Sequence, residues 1–433
     1  MKQKEETASK KDPSTPEIER KKINFILQRF KKYYVQTELF VEEIQMREFA
    51  FMFYGMQGMV RHIAFTPQTL KKFVVERVPS HIYYSSALYR KPDAKTMDEK
   101  GWLGADLIFD LDADHIPGSE KMSYPEMLNK VKDEFKKLVD GFLLDDFGFD
   151  EKDVKIVFSG GRGYHAHIAK ECVRKLGTQE RREIVDYIAG TGLMEGEKIR
   201  DIRESMNYIF DATIYSPAGS KKYSDTKPEF VKTKITYSLP PPDAHGWKKR
   251  MREGIISQLE IWQKMEKSAV VKDMMEVKGV GEVLARKLYH ELFEKGKAKH
   301  IIERGNLSVF SDDKIINAFL MLIKRKLAPA ISGETDEPVT SDIKRLIRLP
   351  YSLHGKTGFV VKAMTRTEFE NFEPLRDAIP TVFTDEPVKI NITKGIEIPL
   401  KGERFSLKEG TAEIPEFAAI FLLCSGRATL ENT

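Results

Sequence analysis

The 433-residue chain is 41% hydrophobic, 10% aromatic and 32% charged, and its lysines and arginines exceed its aspartates and glutamates by 71 − 66 = +5. That balance supports a sizeable core spread over two or three domains, and it excludes a disordered, collagen-like or membrane-spanning protein. The longest clean apolar run, Phe417 to Cys424, falls well short of the roughly 20 residues a membrane helix needs.

The first twenty residues are polar and charged, without a secretory h-region. Two cysteines, Cys172 and Cys424, support neither a disulfide framework nor a four-cysteine metal site within this chain. A reducing, intracellular setting is expected, cytoplasmic in a prokaryote. The mild basic excess permits a polyanionic partner without requiring one.

In chain order, residues 1–19 form a charged, Ser/Thr/Pro-rich tail expected to be flexible. A helical pattern runs from Ile23 to about Phe40, and the Met- and Phe-rich stretch Arg47–His62 is strand-like and buried. Pro79–Arg90 also has strand composition. Ala105–Asp112 is the first strong strand, Tyr124–Phe149 a long amphipathic helix, and Val154–Phe158 and Tyr164–Ile168 two short strands around a glycine-rich turn. Residues 178–330 are mostly helical and charged, broken by the proline-rich loop Leu239–Pro242; after Pro380, short apolar runs between Gly and Pro predict antiparallel hairpins. The expected architecture is α/β (α+β). A catalytic domain of mixed or antiparallel sheets flanked by helices is built from residues 20–177 and 331–433, and a helical subdomain at 178–330 is inserted in it.

Three segments carry chemistry. In Asp106-Leu-Ile-Phe-Asp110-Leu-Asp112-Ala-Asp114, strand alternation sets Leu107, Phe109 and Leu111 on one face and Asp106, Ile108, Asp110 and Asp112 on the other. Asp110 and Asp112 are then ~6.5–7 Å apart at Cα, close enough for their carboxylates to converge on one ion or bridge two. Such hard oxygen ligands suit Mg²⁺ or Mn²⁺. The bland alternative is a solvated strand edge with chance acids.

The second segment, Phe158-Ser-Gly-Gly-Arg-Gly-Tyr-His-Ala-His-Ile168, sets three glycines around Arg162 between two strands. Its backbone can approach an anion closely, Ser159 offers a hydroxyl, and the Arg162 fork matches phosphate oxygens. A triphosphate is the most plausible anion, although the G-K-[ST] of a Walker A loop is missing; a plain hairpin turn is the alternative. His165 and His167 share a strand face.

The third segment runs from Thr340 to Gly358. Ser341 or Asp342 is expected to cap a short helix ending before Pro350, with Asp342, Arg345 and Arg348 sharing one side. This group is either a surface ion pair or a third metal carboxylate whose neighbours hold phosphates. Ser352 and His354 point the same way in extended chain beyond Pro350.

Together the F-D-L-D-x-D strand, the S-G-x-R-G-x-H hairpin and the D-x-x-R-L-I-R-x-P-x-S-x-H-x-K-T-G segment resemble the catalytic (small) subunit of archaeal and eukaryotic replicative primases, in archaeal style. Ile414–Leu430 and Arg47-Glu48-Phe49 also fit, so the likeness spans roughly residues 20 to 430. The resemblance implies a DNA-directed nucleotidyltransferase that makes short primers de novo on single-stranded DNA by a two-metal reaction. It assigns Asp110, Asp112 and Asp342 to Mg²⁺ or Mn²⁺, and Ser159, Arg162, His165, Arg348 and His354 to the incoming nucleotide. Arg47, His81 and Tyr84 match the pocket's neighbourhood only loosely. The family's archaeal members use ribo- and deoxyribonucleotides and act with a large subunit carrying an iron–sulfur cluster.

One departure concerns zinc. Archaeal relatives usually carry a Cys/His insertion between the first two motifs, whereas residues 115–158 here hold His115 and no cysteine. One histidine cannot build a structural zinc site, so none is expected. Two other readings share the motifs: a repair or gap-filling polymerase of the primase–polymerase superfamily, and a non-catalytic nucleic-acid-binding subunit with vestigial acids. Separately, Met275–Leu288 has the spacing of a helix-hairpin-helix, with Gly279 and Gly281 in its turn; an ordinary glycine-broken turn is the plain alternative.

Overall fold

A computed structural model describes residues 15–194, 210–215, 234–307, 309–310 and 312–431. The described residues fall into two compact units, one within 15–144, 148–185 and 334–431, the other within 145–147 and 186–333. The expected tail lies outside the described residues up to position 14, and the first helix starts at Thr15, inside the segment read as tail.

The first unit is organised by an antiparallel four-stranded sheet in the order Lys362–Met364, Val154–Phe158, Gly163–Ile168, Leu107–Asp112. Its two faces differ as the alternation dictates. On one, Leu107, Phe109, Leu111 and Tyr164 are buried. The helix Tyr124–Lys137 covers them with Leu128, Val131 and Phe135, Phe135 stacking on Tyr164 at 5.4 Å. Each such side chain contributes roughly 2–3 kcal/mol by leaving water. Ser123 and Glu126 form a capping box and Pro125 sits in the first turn, so this helix starts at a defined residue. It continues through wider π-type turns over Leu138–Asp146. The other face carries Asp110 opposite His165, Asp112 opposite Gly163, and Ile108 opposite His167.

A second antiparallel sheet runs Leu346–Arg348, His81–Ser85, Phe49–Met52, Val60–Ile63. Its first strand corrects the helix expected between Asp342 and Pro350. A short helix, Glu337–Ser341, ends at Asp342, whose backbone is extended; Arg348 then pairs with Tyr83. Ile347 is buried by this pairing, and the free edge of His81–Ser85 outweighs the helical spacing of Ile343, Leu346 and Ile347. Near the C-terminus, Pro387–Ile392 lies between Gly410–Pro415 and Ala428–Leu430. The apolar run Phe417–Cys424 is a nine-residue core helix, Glu416–Cys424. No described helix is long and apolar enough to cross a membrane.

The second unit is mainly helical. Its longest described helix, Gly246–Lys264, buries Trp247, Met251, Ile255, Leu259 and Trp262 along one stripe. Asp211–Tyr215 and Lys234–Ser238 pair as an antiparallel ladder. The helices Lys267–Met275 and Glu282–Tyr289 flank the Gly279–Gly281 turn. Gly279 has φ +95° there, where a Cβ would lie 3.4 Å from Arg325 Nη1.

Candidate functional site

The site is built on the polar face of the first sheet. Asp110 and Asp112 stand two residues apart on one strand, and His165 Nε2 lies 3.4 Å from Asp110 Oδ1. Burial raises Asp110 to about 7, and the charges of Asp112 and Asp336 push the same way against Arg345 and His115. Asp112 meets Arg162 Nη2 at 3.0 Å, while Asp114 meets the same nitrogen at 2.5 Å.

The third acid beside this pair is Asp336, not Asp342. The Asp336 N–H donates to the Asp110 carbonyl at 2.8 Å, and Thr335 Oγ1 donates to the same oxygen at 3.2 Å. Asp336 is the N-cap of Glu337–Ser341, yet its carboxylate makes no capping bond. Its Oδ2 lies 3.6 Å from His115 Nε2. Asp342 sits at the helix's far end, six residues or about 9 Å along the axis. There its Oδ1 accepts the Lys344 N–H at 2.9 Å, and its charge acts on Arg181 and Tyr89. Reading the sequence overlooked Asp336; the available signal was an acid directly ahead of a proline-started helix, Asp336-Glu337-Pro338.

The glycine hairpin faces the acids. Ser159 Oγ accepts the N–H groups of Gly161 at 3.3 Å and Gly163 at 3.2 Å, which leaves its own O–H to donate. Gly160 has φ +77°, and a Cβ there would fall 2.6 Å from the His354 Cβ. His354 is buried, its Nδ1 3.1 Å from Thr357 Oγ1 and its ring 4.9 Å from that of His81.

Arg348 Nη1 donates to His81 Nδ1 at 2.6 Å, and its guanidinium lies 5.1 Å from the Tyr83 ring. No carboxylate lies within ion-pair distance of it among the described residues, and burial lowers its pKa. Burial, reinforced by Arg348, also holds His165 and His81 down to about 3 and His354 well below the ordinary histidine value, so all three imidazoles are neutral. The structure therefore gathers Asp110, Asp112, Ser159, Arg162, His165, Arg348 and His354, and adds Asp336 and His81.

Two buried arginines fix the root of the Asp110 strand. Arg47 bonds Asp106 at 2.6 Å and the carbonyls of Ser85 and Ser86. Arg181 donates to the carbonyls of Ala105, Asp106 and Leu176. Arg47, loosely matched to the pocket from sequence, is thus a strut, and Tyr84 bonds His167 Nδ1 at 3.3 Å.

The donor chemistry suits a hard cation: Asp110 and Asp112 share one strand face, Asp336 is tied to the Asp110 carbonyl, and burial together with the charges of Asp112 and Asp336 raises the Asp110 carboxyl. Among the described residues no three His, Cys, Asp or Glu side chains are drawn tightly enough to cage an ion alone.

The family model described as the DNA primase small subunit matches residues 109–366. The DNA primase small subunit of Methanothrix thermoacetophila is 39% identical over 417 residues, covering 95% of this chain and 99% of its own. That of Methanocella arvoryzae is 40% identical over 417 residues, covering 94% and 98%, and that of Methanosarcina acetivorans 38% over 420, covering 95% and 97%. The chain belongs to the DNA primase small subunit family, in its archaeal form.

Proposed function

We propose that this chain is the catalytic small subunit of a replicative primase and starts short primers on single-stranded DNA at the Asp110 cluster. The observation that carries the reading is the placing of Asp110 and Asp112 on one strand face, with Asp336 tied to the Asp110 carbonyl and the hairpin's Arg162 paired with Asp112. Asp110, Asp112 and Asp336 hold the divalent cations, Mg²⁺ or Mn²⁺. When bound, these ions supply the charge that acidifies a primer 3′-hydroxyl and offsets the leaving pyrophosphate.

The chain's own groups do the rest. The Ser159 hydroxyl and the Arg162 fork bind triphosphate oxygens. Arg348, which already donates to His81 through Nη1, has further guanidinium N–H groups to offer phosphate oxygens when the nucleotide arrives. Neutral His165 has one N–H to donate at the phosphates without adding charge, whereas His354 spends its Nδ1–H on Thr357 Oγ1 and borders the hairpin. Arg47 and Arg181 keep the strand root still, so that the acids and the hairpin stay in register.

No structural zinc enters this reading, since His115 stands alone over residues 115–158. A separate large subunit supplies any iron–sulfur cluster, because the chain's two cysteines lie at 172 and 424. The protein then works inside the cell, on template DNA, with ribonucleotides and deoxyribonucleotides as candidate substrates. The deciding experiment is dinucleotide synthesis on unprimed single-stranded DNA, by this chain with its large subunit, with Mg²⁺ or Mn²⁺ and each sugar type. Products from unprimed template support the reading. Extension of supplied primers alone would make it a gap-filling polymerase.

A further inference from the structure

We infer that Tyr124 is a positioning residue for nucleotide binding: its hydroxyl fixes the Gly161–Arg162 peptide so that the Arg162 backbone N–H is a preset phosphate donor. The inference rests on the hairpin being the triphosphate site. It concerns the hairpin's main chain, which neither the motif nor the family match assigns.

Tyr124 Oη donates to the Gly161 carbonyl at 2.6 Å. A trans peptide directs its N–H opposite its C=O, so drawing the Gly161 oxygen toward Tyr124 turns the Arg162 N–H the other way. That N–H has no acceptor among the described residues. The neighbouring peptide is held in the same manner: Thr357 Oγ1 donates to the Gly160 carbonyl at 2.6 Å, and the opposed Gly161 N–H falls on Ser159 Oγ at 3.3 Å. Two hydroxyls thus grip two successive glycine carbonyls. One resulting N–H is spent on the serine and the other remains for a ligand.

Both grips are rigid. Tyr124 is the first residue of a helix with a full capping box, and its ring lies 6.1 Å from Phe421. Phe421 also stacks on Phe359 at 5.3 Å, at the end of the loop that carries Thr357. One buried phenylalanine therefore braces both hydroxyl bearers. Without these bonds a glycine pair is free to rotate its peptide planes, and a nucleotide would have to order them on binding.

Tyr124→Phe removes one oxygen and keeps the ring. Steady-state primer synthesis should show the nucleoside triphosphate KM raised roughly tenfold, the scale of one hydrogen bond, with kcat within about twofold and the melting temperature unchanged. Equilibrium binding should show the same loss for the triphosphate and none for the nucleoside, a split that loosened packing would not produce. An unchanged KM, or equal losses for triphosphate and nucleoside, overturns the inference. A second reading needs no variant: with selective ¹⁵N-arginine labelling, the Arg162 amide should shift downfield on nucleotide addition to the wild-type protein, and a static resonance also overturns it. Ser159→Ala and Arg162→Ala separate the two levels. If both leave KM unchanged, the triphosphate assignment itself fails; if both raise it while Tyr124→Phe does not, only the role of Tyr124 falls.

Discussion

Replacing Gly160 with alanine tests how tightly the hairpin and the His354 loop are fitted. The added methyl would lie 2.6 Å from the His354 Cβ and 3.3 Å from Val361 Cγ2, at a residue with φ +77°. The left-handed backbone costs an alanine about 1–2 kcal/mol, and forced overpacking against a buried neighbour about 1–3 kcal/mol, for a total of about 2–5 kcal/mol. Relief requires the hairpin to back away from His354, and that movement carries Ser159 and Arg162 off the acids. Denaturant unfolding should therefore show a loss of this size, and primer synthesis at saturating template should drop by more than the unfolded fraction explains. Gly161→Ala is the matched control: its φ lies outside the left-handed region, and its methyl meets the His354 ring edge at 3.3–3.5 Å and Ser159 Oγ at 3.7 Å, so the loss should be about 1 kcal/mol or less. Equal stability of Gly160→Ala and wild type would refute the fit described here.

Other outcomes follow from the same geometry. Arg348→Leu should abolish nucleotide binding in a filter or fluorescence assay yet leave folding stability equal or higher by about 1 kcal/mol, because it removes a desolvated cation without a carboxylate. Lys100 and Glu48 form an ion pair with both side chains 0% exposed, and Glu48 also meets Arg61 Nε at 3.2 Å, so Lys100→Met should cost about 1–3 kcal/mol in urea unfolding, short of the loss for a fully stranded charge. His81, His167 and His354 are held neutral by burial. Their folded pKa values lie below the unfolded value, so the unfolded chain binds more protons as pH falls below about 6.5 and stability is lost from there downward. Each imidazole adds up to about 1.4 kcal/mol per pH unit, and His81→Gln should flatten the slope between pH 6.5 and 5.

Much of this was legible in the sequence because strand periodicity carries it. Leu107, Phe109 and Leu111 alternate with Asp106, Ile108, Asp110 and Asp112, and that pattern alone sets the acids on the polar face. Glycines flanking Arg162 mark a close approach that is real at Gly160. The rest depended on contacts between distant segments. Asp336 becomes part of the site only because the Glu337–Ser341 helix starts against the Asp110 carbonyl, whereas Asp342, with the more suggestive arginine spacing, falls at its far end. Leu346–Arg348 is helical by spacing and a strand by partnership with His81–Ser85. Tyr124, a helix-start residue among many, owes its interest to one carbonyl 37 positions away.

Asp110, Asp112 and Asp336 are the acids proposed above to bind the metal. Mn²⁺ binding in the presence of nucleotide, followed by electron paramagnetic resonance on the wild-type, Asp336→Asn and Asp342→Asn proteins, tests that assignment most directly. Asp336→Asn should bind Mn²⁺ roughly tenfold more weakly, the loss of a charged ligand, and Asp342→Asn should bind it as the wild type does. The reverse pattern would contradict it.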